Sequence, residues 1–217
     1  MTIEYINDQL KSDVQINKNQ YRLFGLYIKE LLRWNKKINL TSITELEQCW
    51  EKHIVDSLLP TYLLSGDEKL LDIGSGAGLP CVPLKILFSE LNVDSVDSVS
   101  KKIHFQRHCA RVLQFSNFIA HAERVELFST THASQYDVVI SRAFSSLKLF
   151  IEYAVPFIVP HGRIIAMKGS TADEEIEAAQ EILLEYGLKI TKNITVMLKP
   201  SGAQRVLLEI KKLPQMS

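Results

Sequence analysis

The chain has 217 residues, 25 Lys+Arg against 25 Asp+Glu, and a formal net charge of zero; 46% of its residues are hydrophobic and 23% charged. That balance excludes a disordered chain, and the length suits one medium-sized domain, or one with an appendage, that buries its core without a disulfide or metal staple. Cys49, Cys81 and Cys109 are widely spaced and form neither a CxxC zinc signature nor a disulfide framework. No apolar run approaches the roughly 20 residues of a membrane-spanning helix. The opening MTIEYINDQLKSD carries acids and no apolar signal core, so a cytoplasmic protein without membrane attachment is expected.

Residues 1 to about 65 read as a helical extension. In Asn19–Ile38, Leu23, Leu26, Leu31 and Trp34 recur at helical spacing among charged residues. Thr44-Glu45-Leu46-Glu47 fits a capping box and predicts a second helix from Thr44 to about Leu64, disturbed at Pro60. From Gly66 to the end, strands alternate with helices. Lys69–Ile73, Asn92–Asp97, Asn117–His121, Tyr136–Ser141 and Arg163–Lys168 read as strands, with helices at about 82–89, 101–115, 145–155 and 173–186. That alternation predicts an α/β fold on a parallel sheet covered on both faces. Ile190–Leu198 and Gln204–Lys211, joined by the turn-rich Lys199–Ala203, predict an antiparallel pair at the end of the chain.

The strongest local feature is Leu70-Leu71-Asp72-Ile73-Gly74-Ser75-Gly76-Ala77-Gly78-Leu79, a strand ending in an acid followed by three alternating glycines and a helix. Such glycines turn the backbone sharply and let a ligand lie against peptide groups. Asp97 follows Gly78 by nineteen residues, at the end of the next strand, where a carboxylate faces the ribose of a bound nucleotide. The G-x-G-x-G spacing differs from the dinucleotide fingerprint, and no Gly-Lys-Ser/Thr follows to make a P-loop. Asp72 ahead of the loop suits a cationic ligand better than a diphosphate. S-adenosylmethionine, with an ammonium, a sulfonium and a ribose but no phosphate, fits these features.

Several ordered blocks carry a resemblance that is more specific than the loop: Trp34-Asn-Lys-Lys-Ile-Asn-Leu-Thr41, His53-Ile-Val-Asp-Ser57, Asp72–Pro80, Asp97-Ser98 with Lys101-Lys102, Ala122-Glu123, Ser141-Arg142-Ala143-Phe144, Lys168-Gly169 and Arg205. From about Leu31 to Ile210 the chain resembles the glucose-inhibited division protein B family, bacterial methyltransferases acting on N7 of a guanine in small-subunit (16S) ribosomal RNA. The resemblance implies a Rossmann-like class I methyltransferase sheet that carries the antiparallel C-terminal pair. It implies cofactor contacts at Gly74, Leu79, Ala122, Glu123 and Arg142, beside Asp72, Gly76, Gly78 and Asp97 already singled out from the loop and its spacing. It also implies contacts to RNA or the target base at Asn39, Thr41, His53, Asp56, Lys168 and Arg205; the place of Lys168 and Arg205 on predicted strands of the core domain makes those two the expected phosphate contacts. Three positions depart from the family's pattern: Cys81 and Ser100 stand where it usually has glycine, and His121 where an arginine is common.

Guanine N7 carries an in-plane lone pair, so no catalytic general base is expected; the work is alignment of N7, methyl carbon and sulfur. Cys81 lies inside the cofactor loop and lacks the setting of an activated nucleophile. His104 and His108 stand one helical turn apart but lack the glutamate of the zinc-protease motif, so no metal site is expected. A methyltransferase for another RNA or a small molecule, and a non-catalytic cofactor-sensing or ribosome-binding protein, remain open on the glycine loop alone. Nothing in the sequence demands more than a monomer. The zero net charge is a cancellation: Ser98–Ala122 holds Lys101, Lys102, Arg107 and Arg111 and no acid, whereas Asp173–Glu185 holds six acids and no base. A local basic face for RNA is therefore compatible with a neutral chain.

Overall fold

A seven-stranded sheet in the order β3-β2-β1-β4-β5-β7-β6 organises the chain. Its strands are β1 Lys69–Ile73, β2 Asn92–Asp97, β3 Phe118–Ala122, β4 Tyr136–Ser141, β5 Ile158–Lys168, β6 Leu188–Met197 and β7 Gln204–Lys212. The computed structural model describes residues 1–142 and 144–213; Ala143 of the Ser141–Phe144 block and residues 214–217 of the expected second domain lie outside them. β1 to β5 pair in parallel, and β7 inserts antiparallel between β5 and β6. This is the Rossmann-like α/β sheet with the terminal antiparallel pair expected from the sequence.

Period-two patterning explains why both faces are covered. On β1, Leu70 joins one hydrophobic core and Leu71 the other; on β4, Val138 and Ile140 face the first and Val139 the second. The first core is roofed by α2 (Lys18–Ile38), α5 (Cys81–Leu87) and α6 (Ser100–Val112), the second by α7 (Val125–His132), α8 (Leu147–Ala154), α9 (Ala172–Ala178) and α10 (Gln180–Glu185). Phe24, Ile28 and Leu31 of α2 share their core with Leu70 and Val93 of the sheet, so the apolar packing is continuous across residue 65. A short α1 (Ile3–Asn7) precedes them. Among the described residues, no helix is long and apolar enough to cross a membrane.

Local chemistry differs from the expectation in four places. The capping box belongs to α2, where Asn17 Oδ1 accepts from the Gln20 N–H at 2.9 Å and Gln20 Oε1 accepts from the Asn17 N–H at 2.8 Å. The box expected at Thr44 does not form: the next helix, α3 (Leu46–Cys49), starts after Glu45 without a side-chain cap. It continues as a π-helical turn, Trp50–Val55, then α4 (Asp56–Leu58) and a 3-10 turn over Leu59–Tyr62 in which Pro60 sits near the start, where its missing N–H costs nothing. The helix expected over 173–186 breaks at the buried Ala179 into α9 and α10. α7 was not foreseen, because VELFSTTH is rich in β-branched residues and fully buries only Phe128.

At the far edge, β6 is interrupted by a bulge between Ile190 and Lys192 and exposes Lys189 and Lys192. At the opposite edge, Arg107 of α6 donates from Nε and Nη2 to the Ala120 carbonyl of β3, at 3.0 and 2.7 Å.

Candidate active site

Strand order reverses between β1 and β4, and in open α/β sheets ligands settle beyond the strand ends at such a point. The glycine loop leaves β1 there. Gly78 has φ +86°, and a Cβ on it would lie 2.5 Å from Val82 Cγ2, so helix α5 can approach only a glycine. Gly74 faces the ring of Phe144, which a Cβ would meet at 3.6 Å. The loop is pinned from several directions. The Gly76 N–H donates to Asp97 Oδ2 at 2.9 Å, and Gln106 Nε2 donates to Gly76 O and Ser75 Oγ, both at 2.8 Å. Gln106 Oε1 accepts from Ser95 Oγ at 2.6 Å, and the Tyr27 hydroxyl donates to Ala77 O at 2.8 Å.

Beside this loop lies a cavity of about 220 Å³, lined by Gly74, Asp97, Ser98, Glu123 and Phe144 among others. That volume is below the roughly 300 Å³ at the small end of ligand pockets, so it takes part of a ligand rather than the whole. Asp97 accepts from Gly76 through one oxygen and from the Val99 N–H at 2.8 Å through the other. A carboxylate offers about four lone-pair sites, so capacity for two ribose hydroxyls remains. These residues fit the nucleoside end of S-adenosylmethionine: Gly74, Asp97 and Glu123 on the wall, Ala122 exposed beside Glu123, Gly76 and Gly78 shaping the loop. Leu79 is buried behind the loop at 8% exposure.

Two expected cofactor contacts sit elsewhere. Asp72 is fully buried under the loop; Oδ2 accepts from the Cys81 N–H at 3.2 Å and Oδ1 has no hydrogen-bond partner among the described residues. Burial pushes its carboxyl up to about 7. The reading of Asp72 as a direct partner for a cation is therefore corrected: its carboxylate is shielded from the cavity and braces the start of α5 through the Cys81 N–H. Arg142 is also displaced from the cofactor cavity. Its Nη1 donates to Lys52 O at 2.6 Å and to Asp56 Oδ2 at 3.2 Å, which puts it in a second cleft.

That second cleft, about 310 Å³, is lined by His53, Asp56, Arg142, Lys168, Gly169 and Arg205 along with Ile43, Lys52 and Met167. Four of the six residues expected to face RNA thus meet, drawn from the π-helical turn, α4, β5 and β7. Asp56 accepts from Arg142 and, through Oδ1, from Arg205 Nε at 2.9 Å. Thr41 reaches the cleft through His53, its Oγ1 lying 2.9 Å from Nε2. His53 is 3% exposed, and desolvation together with Arg142 lowers its pKa to about 4, leaving the ring neutral. Asn39 is not brought to the cleft; it ends α2 in the left-handed region, φ 48°. Lys168 is buried, with Nζ 2.7 Å from Glu175 Oε2, so its charge is committed to a carboxylate rather than open to phosphate.

Sequence reasoning passed over four supporting residues. Gln106 occupies the buried stripe Ile103–Gln106–Cys109 of α6, and a polar residue in an apolar helical stripe is the signal that marks it. Asn35 organises the connector after α2, accepting from the Leu40 and Thr41 N–H groups at 2.6 and 2.9 Å. Phe144, the last residue of the Ser141–Phe144 block, walls the cofactor cavity, and Glu175, inside the acidic run and without a local sequence signal, anchors Lys168. The remaining candidates have structural explanations. His108 Nε2 lies 2.7 Å from Glu30 Oε2, and no group of three metal-ligating side chains occurs among the described residues. Cys81 is fully buried, which pushes its thiol well up, away from nucleophilic use. His121 is held by Asp94 at 2.7 Å, and Ser100 opens α6.

The GidB family profile, described as rRNA small subunit methyltransferase G, matches residues 20–204. Proteins named ribosomal RNA small subunit methyltransferase G from Geobacter sulfurreducens and Geobacter sp. (strain M21) are 44% and 42% identical, each alignment covering 91% of both chains. The protein of that name from Staphylococcus aureus is 35% identical over 99% of this chain and 92% of its own. Among solved structures, M. jannaschii TYW2 in complex with AdoMet superposes with a TM-score of 0.61 at 14% identity, covering 79% of this chain and 80% of that one. A SAM-dependent methyltransferase from Aquifex aeolicus gives 0.54 at 15% identity, over 75% and 92%. At these identities the structural likeness is one of fold.

Proposed function

We propose that this chain, which belongs to the rRNA small subunit methyltransferase G (GidB) family, transfers a methyl group from S-adenosylmethionine to N7 of a guanine in small-subunit ribosomal RNA. The observation that carries this reading is the pair of clefts at one end of the sheet. One has a glycine loop and a ribose-facing carboxylate, and the other has four cations around a neutral histidine. Gly74, Asp97, Glu123 and Phe144 would hold the nucleoside part of the cofactor, which supplies an electrophilic methyl carbon on a sulfonium.

The chain's own contribution follows from the chemistry of the acceptor. N7 needs no deprotonation, so the cleft has no proton to remove, and a neutral His53 suits that requirement. Orientation then carries the rate, and the frame for it is the Arg142–Asp56–Arg205 bridge. Positive charge moves onto the purine as the methyl transfers. Asp56 and Glu175 set two carboxylates against Arg142, Arg205 and Lys168, which lowers the positive charge that the developing purine cation meets. A stacked guanine is out of reach, so the target nucleotide must be unpaired or turned out of its helix. The same reading has the chain act in the cytoplasm as a monomer.

The test is methyl transfer from labelled cofactor to protein-free ribosomal RNA, free small subunits and small metabolites, followed by nucleoside analysis. The expected product is 7-methylguanosine in the RNA. Cofactor binding with no label in any RNA would sink the proposal.

A further inference from the structure

A groove of about 920 Å³ lies outside both clefts, along the outer flank of α6. Trp34 from the end of α2 and the Phe115–Phe118 pair supply its aromatic walls, with Arg107 and Arg111 between them. These rings are fixed by packing: Trp34 has centroid distances of 5.6 Å to Phe105 and 5.0 Å to His108, and Phe115 lies 5.5 Å from Phe118. The surroundings are strongly basic. Across Lys29–Asn39 and Ser98–Ala122 the only acid is Glu30, and its carboxylate is already engaged by Arg33 and His108. Lys36, Lys37, Lys101 and Arg111 are exposed. The groove follows α6, whose 13 residues rise about 20 Å from Ser100, three positions after the ribose-facing Asp97.

A basic track with aromatic faces set into it is the arrangement that holds single-stranded nucleic acid, charge meeting the backbone and rings stacking with bases. We infer that this groove binds an unpaired stretch of RNA flanking the methylated nucleotide, with Trp34 and Phe115 as stacking platforms, Arg111 of the groove on one phosphate and Lys37, which shares the adjoining depression with Trp34, on another. The inference rests on the ribosomal RNA reading above. It places a second RNA contact on the opposite side of the cofactor loop from the Arg142–Arg205 cleft. An acidic peptide would answer the charge but would leave the half-buried rings along the groove without a purpose.

Trp34 provides the readout, because the other tryptophan, Trp50, is buried and stacked on Tyr21 at 4.7 Å. A 12-residue oligouridylate titrated into the full chain should quench Trp34 fluorescence, with an affinity that falls as salt rises. The variant Lys37→Ala/Arg111→Ala should bind several-fold more weakly, with a salt slope shallower by about 1.4, or about 0.7 for each lost phosphate contact. Its calorimetric affinity for S-adenosylmethionine should stay unchanged, which shows that the fold is intact. An absent quench, or unchanged affinity and slope in the variant, overturns the inference. So does polyglutamate producing the same quench with the same sensitivity to the substitutions, since that marks a protein-docking face. A chain that shows the quench and slope but methylates no RNA would defeat the functional reading and leave the groove standing.

Discussion

Asp97 divides one carboxylate between two tasks, bracing the Gly76 and Val99 amides while facing the cofactor cavity. Hydrogen bonds to a charged acceptor contribute about 1.5–3 kcal/mol each. Asp97→Ala is therefore expected to weaken S-adenosylmethionine binding at least about tenfold by calorimetry; unchanged affinity would remove Asp97 from the cofactor's reach. Asp72, fully buried, behaves differently. Its folded-state pKa is about 7 against an ordinary 3.8, so the native chain keeps a proton that the unfolded chain gives up between those values. That contribution is fully present below about pH 4 and is lost as pH rises to 7. Asp72→Asn, neutral at every pH, should gain on the parent protein between pH 5 and pH 8, by on the order of 2 kcal/mol in urea unfolding. A difference that does not move with pH would show that Asp72 is charged in the fold.

At the scale of elements, the glycine loop depends on α5 approaching closely at Gly78. Gly78→Ala introduces a side chain at φ +86° and 2.5 Å from Val82, and should cost about 1–3 kcal/mol. Thermal melts should record this as a drop of about 2–4 °C per kcal/mol for a chain of this size. The strands were legible in the sequence because burial on both faces leaves short apolar runs such as Tyr136–Ser141, and the glycine loop because its spacing is chemical. Other features were not. The π-helical turn over Trp50–Val55, which delivers His53 to the cleft, is set by tertiary packing and has no local signature. Thr44-Glu45-Leu46-Glu47 matches a capping box by composition, yet the helix begins one residue too late for Thr44 to serve it. Site residues were legible as far as motif blocks reached; Gln106 and Glu175, outside every block, act through contacts that only the fold creates.

For the molecule as a whole, Asp56 is the joint between the N-terminal helices and the sheet, holding Arg142 after β4 and Arg205 on β7. Removing it leaves two half-buried guanidiniums without their carboxylate. Asp56→Ala should lower stability by about 1–3 kcal/mol in urea unfolding. It should reduce methyl transfer at least about tenfold with cofactor affinity unchanged, since the cofactor cavity draws on other residues. Loss of both together would mean that the two clefts form one unit.

The bulge and lysines on β6 and the Arg107 clamp on β3 also bear on how copies of this chain behave in company. A protein with no net charge has little long-range repulsion to keep its copies apart. Open strands on both flanks would then template edge-to-edge pairing of one sheet with the next. Here each flank is closed at short range instead, one by a kink bearing two like charges and the other by a guanidinium seated on the strand's own carbonyl. Protection against edge pairing is thus written into a few edge positions, while the remaining charge is sorted into separate acidic and basic runs of the chain.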